Sequence, residues 1–142
     1  MTLQNTDTAH DELHLIHRAL SGSKEELFSL MERPSPDILR AALRNPALDE
    51  AHLLALLHHT GLHPDLFTLL HQQHEPPAGN YQVLFALVQH PEAPAHIVSN
   101  LLPRLYLFDL LKLCCLPGIP QDQKVAAERA IIQRIPAQPL GN

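Results

Sequence analysis

A phrase of twelve residues occurs twice in this chain without a gap, and it constrains the fold more than any other feature. The first copy covers 38–49 and the second, 45 residues later, covers 83–94. A weaker copy at 110–120 follows after a shorter step of 26 residues, and a degenerate one begins at His74. Repeated units bury a core by stacking on their neighbours. The phrase therefore predicts an array of helical repeats.

Each copy is predicted to be a helix, a turn marked by proline, and a second helix. Asn45, His90 and Leu116 each precede a proline. A residue in that position is pushed out of the α region, so these three residues should end helices. The residues three positions after those prolines suit the start of a helix; they are Asp49, Pro94 and Pro120.

The rest of the chain fits an all-α fold in one domain. Leucine dominates the apolar residues, which favours helices over strands. Apolar spacing and turn residues predict nine helices, near 10–20, 24–32, 36–44, 49–59, 64–73, 80–89, 94–102, 105–115 and 121–134. We expect a flexible N-terminus over 1–9, a single helical-repeat domain over 10–135, and a flexible tail over 136–142.

The repeated phrase resembles the leucine-rich-variant repeats and the wider HEAT-like class of helical repeats. The resemblance is carried by 43–46, 87–91, 116–120 and the Ala126-Ala127-Glu128 that follows, and it covers 36–134. It implies a short right-handed α-solenoid that acts as a scaffold. Some relatives in this class carry a cysteine cluster for iron and sulfur outside the repeats. No such cluster is found in this sequence, so no cofactor is expected.

Charge is distributed unevenly along the chain. All ten Lys and Arg residues fall within 1–44 or 104–142, while 45–103 holds five acidic residues and eight of the eleven histidines. This central stretch could bind a basic or polar partner helix, form a pH-sensitive contact, or be an ordinary solvated face. The net charge of −5 argues against nucleic-acid binding. No apolar run is long enough for a membrane span and no secretion signal is evident, so a cytoplasmic location is expected.

Protein–protein interaction is the function that a helical array of this kind predicts. The candidate partner-binding residues are three aromatic residues and two flanking cations: Tyr81, Phe85, Tyr106, Arg104 and Lys112. Packing in the core is the ordinary alternative for the aromatic residues. The leucine-rich stretch 101–116 could also form an uncapped face through which the chain makes a homodimer. We therefore expect a non-enzymatic adaptor, because the sequence contains no nucleophile motif or phosphate-binding loop.

Histidine spacing supplies an alternative of a different class, a metal-binding or metal- and pH-responsive protein. One group, spaced along one face of a helix, is His10, His14 and His17. The second group is His58, His59 and His63. Histidines one helical turn apart can hold zinc. The run 10–14 does not match the zinc-protease pattern, because its Glu stands third rather than second, and the adjacent Cys114 and Cys115 form no CxxC motif.

Overall fold

The structure, a computed structural model, describes residues 2–73 and 75–135, and within them it is all-α. The helices are α1 (Thr2–Ser21), α2 (Lys24–Leu30), α3 (Pro36–Ala42), α4 (Glu50–Leu57), α5 (Pro64–Gln72), α6 (Tyr81–Gln89), α7 (Ala95–Leu101), α8 (Leu107–Cys115) and α9 (Gln121–Arg134). A short 3-10 turn, Leu102–Arg104, follows α7. In these ranges no helix is both long and apolar enough to cross a membrane.

The predicted all-α class is confirmed, and each of the nine predicted helices has a counterpart. The largest difference is at the start, where α1 begins at Thr2 rather than near residue 10. The first 21 residues contain no Pro or Gly to stop the helix. The mobility expected of 1–9 stays a prediction, and the tail 136–142 and His74 lie outside the described residues.

Polar side chains at the N-caps and prolines at the turns set the helix boundaries. Ser23 forms a capping box with Glu26 at the start of α2. Asp49 caps α4, as the sequence predicts, whereas Pro94 and Pro120 occupy the N-cap position of α7 and α9 rather than the first helical turn. The predicted helix ends at His90 and Leu116 are confirmed as C-caps, whereas α3 has its C-cap at Leu43, two residues before the predicted end at Asn45.

The 45-residue period of the sequence corresponds to three helices. The N-caps Ser35 and Asn80, which begin α3 and α6, are 45 residues apart, and so are Asp49 and Pro94. This period divides the chain into three units, α1–α3, α4–α6 and α7–α9. In every unit the first helix packs on the third, and the second helix of a unit contacts the first helix of the next: α2 on α4 and α5 on α7.

The phrase at 110–120 lies out of register with the other two copies. It joins α8 to α9, the second and third helices of a unit, whereas the copies at 38–49 and 83–94 join a third helix to the next unit. The prolines of all three phrases end a helix for the same local reason. A proline turn alone therefore does not identify a boundary between units. The copies at 38–49 and 83–94 lie at such boundaries, and the copy at 110–120 does not.

Asn45 links the end of the first unit back to its first helix. Its side-chain Nδ2 donates to the carbonyl oxygens of Ala19 and Gly22, both at 3.0 Å. Its Oδ1 accepts from the backbone N–H of Ala47 at 2.9 Å. The side chain is buried, so these bonds hold the turn after α3 against the end of α1 without competition from water.

His90 makes the corresponding link in the second unit. Its Nδ1 accepts from the backbone N–H of Glu92 at 3.0 Å, and its Nε2 lies 2.8 Å from the carbonyl oxygen of His59, just after α4. The neutral ring with its proton on Nε2 satisfies both bonds. Gln123 of α9 donates to the carbonyl oxygen of His90 at 3.0 Å and extends the link to the third unit. Asn45 and His90 thus occupy equivalent positions, and each links the turn after a third helix to the end of the first helix of its unit.

We predict that His90→Ala lowers the free energy of unfolding by about 1–3 kcal/mol, because it removes a buried ring and the bonds that this ring makes to the carbonyl oxygen of His59 and the N–H of Glu92. His96→Ala, a change of an exposed histidine on α7, should have an effect within about 0.5 kcal/mol. Urea denaturation followed by circular dichroism measures both. Equal stability of the two variants would contradict the role of His90.

Candidate functional site: a groove between α4, α6 and α8

A groove of about 550 Å³ runs between α4, α6 and the first turns of α8. We call it the α4/α6/α8 groove. α4 and the turn after it contribute one wall, α6 contributes the other, and α8 closes one end. Its lining residues are Leu54, Leu57, His58, His59, Thr60, Tyr81, Gln82, Phe85, Ala86, Gln89, His90, Pro91, Asp109 and Lys112.

The groove has apolar and polar parts. Leu54, Phe85 and Ala86 are half-buried and pack against the core, so they present apolar surface that the fold leaves partly open. The exposed side chains of His58 and Lys112 lie among the polar lining residues. A partly apolar concavity with a few polar groups is typical of a binding site.

Tyr81 organises the end of the groove at α8. Its hydroxyl donates to the Oδ2 of Asp109 and accepts from the backbone N–H of Tyr106 at 2.9 Å. The rings of Tyr81 and Tyr106 stack with centroids 4.4 Å apart, and Phe85 meets Tyr81 edge-on at 6.5 Å. Burial of the phenol and its bond to Asp109 raise the pKa of Tyr81. The hydroxyl is therefore held protonated at neutral pH and joins α6 to the start of α8.

The loop beside the groove is held by a carboxylate. Glu92 accepts from the backbone N–H of Gly61 through Oε2 at 2.7 Å and from that of Leu62 through Oε1 at 3.0 Å. These two backbone bonds lower the pKa of Glu92. Gly61 has φ 71°, a conformation that glycine adopts without strain, which allows the loop to present both N–H groups to one side chain.

Four of the five predicted partner-binding residues lie together. Tyr81, Phe85 and Lys112 line the groove, and Tyr106, which is 67% exposed, stacks on Tyr81 at its edge. Lys112 also lies 3.7 Å from the Oδ1 of Asp109, one turn away. Arg104 is exposed on the 3-10 turn and is not among the residues that line the groove.

The two groups of predicted metal ligands lie in different parts of the structure, and within the second group His59 and His63 line a common hollow beside the start of α5. His58 and His59 lie at the groove, whereas the Nδ1 of His63 caps α5 by accepting from the N–H of Asp65 at 3.1 Å. His14 and His17 are exposed on α1, and the side chain of His10 lies outside the described residues. Among the described side chains, no group of three or more His, Cys, Asp or Glu is arranged to hold a metal ion.

The two adjacent thiols are not joined in a disulfide. Cys114 and Cys115 are both free, the first half-buried and the second exposed. Burial and, to a smaller extent, the nearby carboxylate of Glu128 raise the pKa of the Cys114 thiol, which disfavours the reactive thiolate.

The geometry of the groove suits the binding of a ligand through apolar contacts and hydrogen bonds.

Sequence reasoning missed three residues that shape the groove. Asp109, which bonds Tyr81 and pairs with Lys112, lies 28 residues from Tyr81 in the chain and carries no local signal. The side-chain role of His90 could have been found, because a polar residue precedes the proline in both in-register copies of the phrase. Ala86 belongs to an apolar helix pattern and is indistinguishable there from a fully buried residue.

Comparison of the chain with models of protein families, with curated proteins and with solved structures finds no match.

We predict that Glu92→Gln lowers stability at neutral pH by up to about 1 kcal/mol, a small effect because solvent screens this exposed group. The folded pKa is depressed, so the contribution is present above the unfolded value, about 4.3, and is lost as the pH falls through the folded pKa. Thermal melts of wild type and variant should converge as the pH falls below the unfolded value and through the lowered folded pKa. Exposed Glu32→Gln serves as the control, and a difference that stays constant with pH would contradict the assignment.

We predict that Tyr81→Phe loosens the start of α8 and lowers stability by about 1–2 kcal/mol, since it removes a hydroxyl that serves both Asp109 and the N–H of Tyr106. Hydrogen exchange should become faster at the Tyr106 amide and the first turn of α8. Tyr106→Phe, which removes the hydroxyl of the exposed ring in the same stacked pair, should leave that exchange unchanged. Similar exchange in both variants would disprove the role of Tyr81.

Proposed function

We propose that this protein is a non-enzymatic protein–protein interaction adaptor whose binding surface is the α4/α6/α8 groove. The observation that carries the proposal is the partly apolar concavity around Phe85 and Ala86, bordered by polar groups and held at one end by the bonds of Tyr81. Such a surface contributes binding energy through its apolar part and specificity through its polar groups.

The arrangement of the helices supports a scaffold role. We propose that the three units form a short right-handed α-solenoid of the HEAT-like or leucine-rich-variant kind. The period of 45 residues, its match to three helices and the equivalent bonds of Asn45 and His90 support this proposal. Helical arrays of such a period present extended surfaces to partners.

The groove suits a short partner segment that inserts one or two apolar side chains. Gln82 and Gln89 offer amides for bonds to the backbone of such a segment, and Asp109 with Lys112 offers a charge of each sign at one end. The absence of Lys and Arg from 45–103 favours a neutral or basic segment over an acidic one.

Photo-cross-linking in the host cell tests the proposal. A photoreactive amino acid in place of Gln82, an exposed residue of the groove, should capture a specific protein. The same amino acid in place of Gln72, exposed on α5 and not part of the groove lining, provides the matched control. Capture of the same proteins from both positions, or of none from Gln82, would contradict a binding surface in the groove.

We predict that Ala86→Trp weakens binding of the partner captured at Gln82 by at least about tenfold, because the indole fills the space that the partner's apolar side chain needs. Ala95→Trp, at the exposed start of α7, should change the affinity by less than about twofold. Isothermal titration with the purified partner gives both affinities. Circular dichroism confirms that each variant is folded.

A further inference from the structure

A groove between the first and third helix is present in each of the three units. In the first unit a hollow of about 280 Å³ lies between α1 and α3. In the third unit a hollow of about 450 Å³ lies between α9 and the end of α7 with the turn that follows it. We call them the α1/α3 groove and the α7/α9 groove. The α4/α6/α8 groove occupies the same place in the second unit.

The same positions of the third helix line all three grooves. The third helices can be aligned on their N-caps, which are Ser35, Asn80 and Pro120. Positions three and four apart share one face of a helix. The residues two, five, six and nine positions after the N-cap line the groove in every unit: Asp37, Arg40, Ala41 and Arg44 in α3, Gln82, Phe85, Ala86 and Gln89 in α6, and Asp122, Val125, Ala126 and Arg129 in α9. The groove is therefore a feature of the repeat.

The apolar part of the groove is kept from unit to unit. Six positions after the N-cap, the third helix has alanine in every case, and the end of the first helix adds a leucine to the same groove. These leucines are Leu20, Leu57 and Leu102. A larger side chain in place of the alanine would fill the space between the two helices. Each unit thus offers room for an apolar side chain of a partner.

The charge at the edge of the groove differs between the central unit and the outer two. Nine positions after the N-cap, α3 and α9 have the exposed cations Arg44 and Arg129, where α6 has the neutral Gln89. Among the side chains that the structure describes, neither arginine has a carboxylate within ion-pair distance. This edge is therefore positive, neutral and positive along the three units.

The acidic residues of the outer grooves do not cancel this pattern. The Oδ1 of Asp37 is paired with Arg40 at 2.7 Å, which leaves Arg44 without it. Asp122 precedes Arg129 by seven residues, about two turns or roughly 10 Å along α9. The arginine end of each outer groove can therefore receive a carboxylate from a partner.

We infer that the three grooves bind one elongated partner segment that is acidic towards both ends and uncharged at its centre. Its centre lies in the α4/α6/α8 groove, so the inference rests on the proposed function. Stacked repeats present equivalent positions on one side of the array, which places Arg44, Gln89 and Arg129 along a single edge. The outer arginines bind carboxylates, and Gln89 offers its amide to an uncharged residue between them.

The size of the outer grooves favours one segment over separate ligands. The hollow of about 280 Å³ between α1 and α3 is smaller than an ordinary independent ligand site, which measures about 300–1,000 Å³. A ligand held in this groove alone would bind weakly. A segment that occupies a neighbouring groove at the same time binds the next one at a high effective concentration.

Peptide selection on the full chain tests the inference. The probe is a phage library of random peptides of about 20 residues, which span up to roughly 66 Å when extended. Peptides selected by the wild type should carry Asp or Glu towards both ends and apolar, uncharged residues between them. Selected peptides without acidic ends, or no selection above background, would overturn the inference.

Charge reversal then tests the outer grooves with a synthetic copy of the selected peptide. Arg44→Glu with Arg129→Glu should weaken its binding by at least about tenfold, because each change replaces an attraction by a repulsion. Arg33→Glu with Arg104→Glu alters the net charge equally at two exposed arginines outside the three grooves. This control pair should change the affinity by less than about twofold. Equal effects of the two pairs would overturn the inference.

Filling single grooves separates this inference from the proposed function. Ala126→Trp fills the α7/α9 groove and should weaken the peptide, as Ala86→Trp does in the central groove. Circular dichroism confirms that each variant is folded. If Ala86→Trp weakens the peptide and the Arg44→Glu, Arg129→Glu pair does not, the proposed function stands and the three-groove partner is overturned. A peptide that Ala86→Trp leaves unaffected would contradict both.

Discussion

Hydrogen bonds from buried side chains to main-chain carbonyls connect the helices of this protein across its turns. Asn45 and His90 each hold the turn after a third helix and reach back to the end of the first helix of the same unit. Without these bonds a turn N–H and a helix-end carbonyl would each lose a partner, which costs about 1–3 kcal/mol where the group is buried, as it is at the carbonyl of Ala19. Because the acceptors are main-chain atoms, the side chains around them can change without loss of the bond. The spacing of the units therefore depends on few sequence positions.

Much of the fold was predictable from local signals. The prolines after Asn45, His90 and Leu116 predicted the three turns, and His90, Leu116 and the N-cap Asp49 were correct helix boundaries, while α3 ends two residues before Asn45. The register of the units was not predictable, because the proline turn at 110–120 resembles the other two locally and differs only in which helices it joins. The early start of α1 at Thr2 was missed because its first residues are polar and show no apolar periodicity.

The residue types at the candidate site were predictable from the sequence, and their spatial arrangement was less so. Tyr81, Phe85, Tyr106 and Lys112 were selected as aromatic residues and a flanking cation, and the structure brings them to one end of a groove. Asp109, the residue that fixes Tyr81, could not be identified because its role arises from contact between two helices in different units. The metal role predicted for the second histidine group stays a prediction: His59 and His63 line a common hollow, and the Nδ1 of His63 accepts a bond from the N–H of Asp65 at the start of α5.

The uneven distribution of cations also determines how the molecule can be studied. Lys and Arg are absent from 45–103, so α4, α5, α6 and α7 offer trypsin no cleavage site, and the first site beyond Arg44 is Arg104. Limited trypsin digestion would report on opening of the two ends alone, whatever the central helices do. Amine coupling to a sensor surface would likewise attach the protein through its ends, including Lys112 beside the groove. Proteases that cut at leucine or glutamate, and immobilisation through an added tag, leave the groove open to measurement.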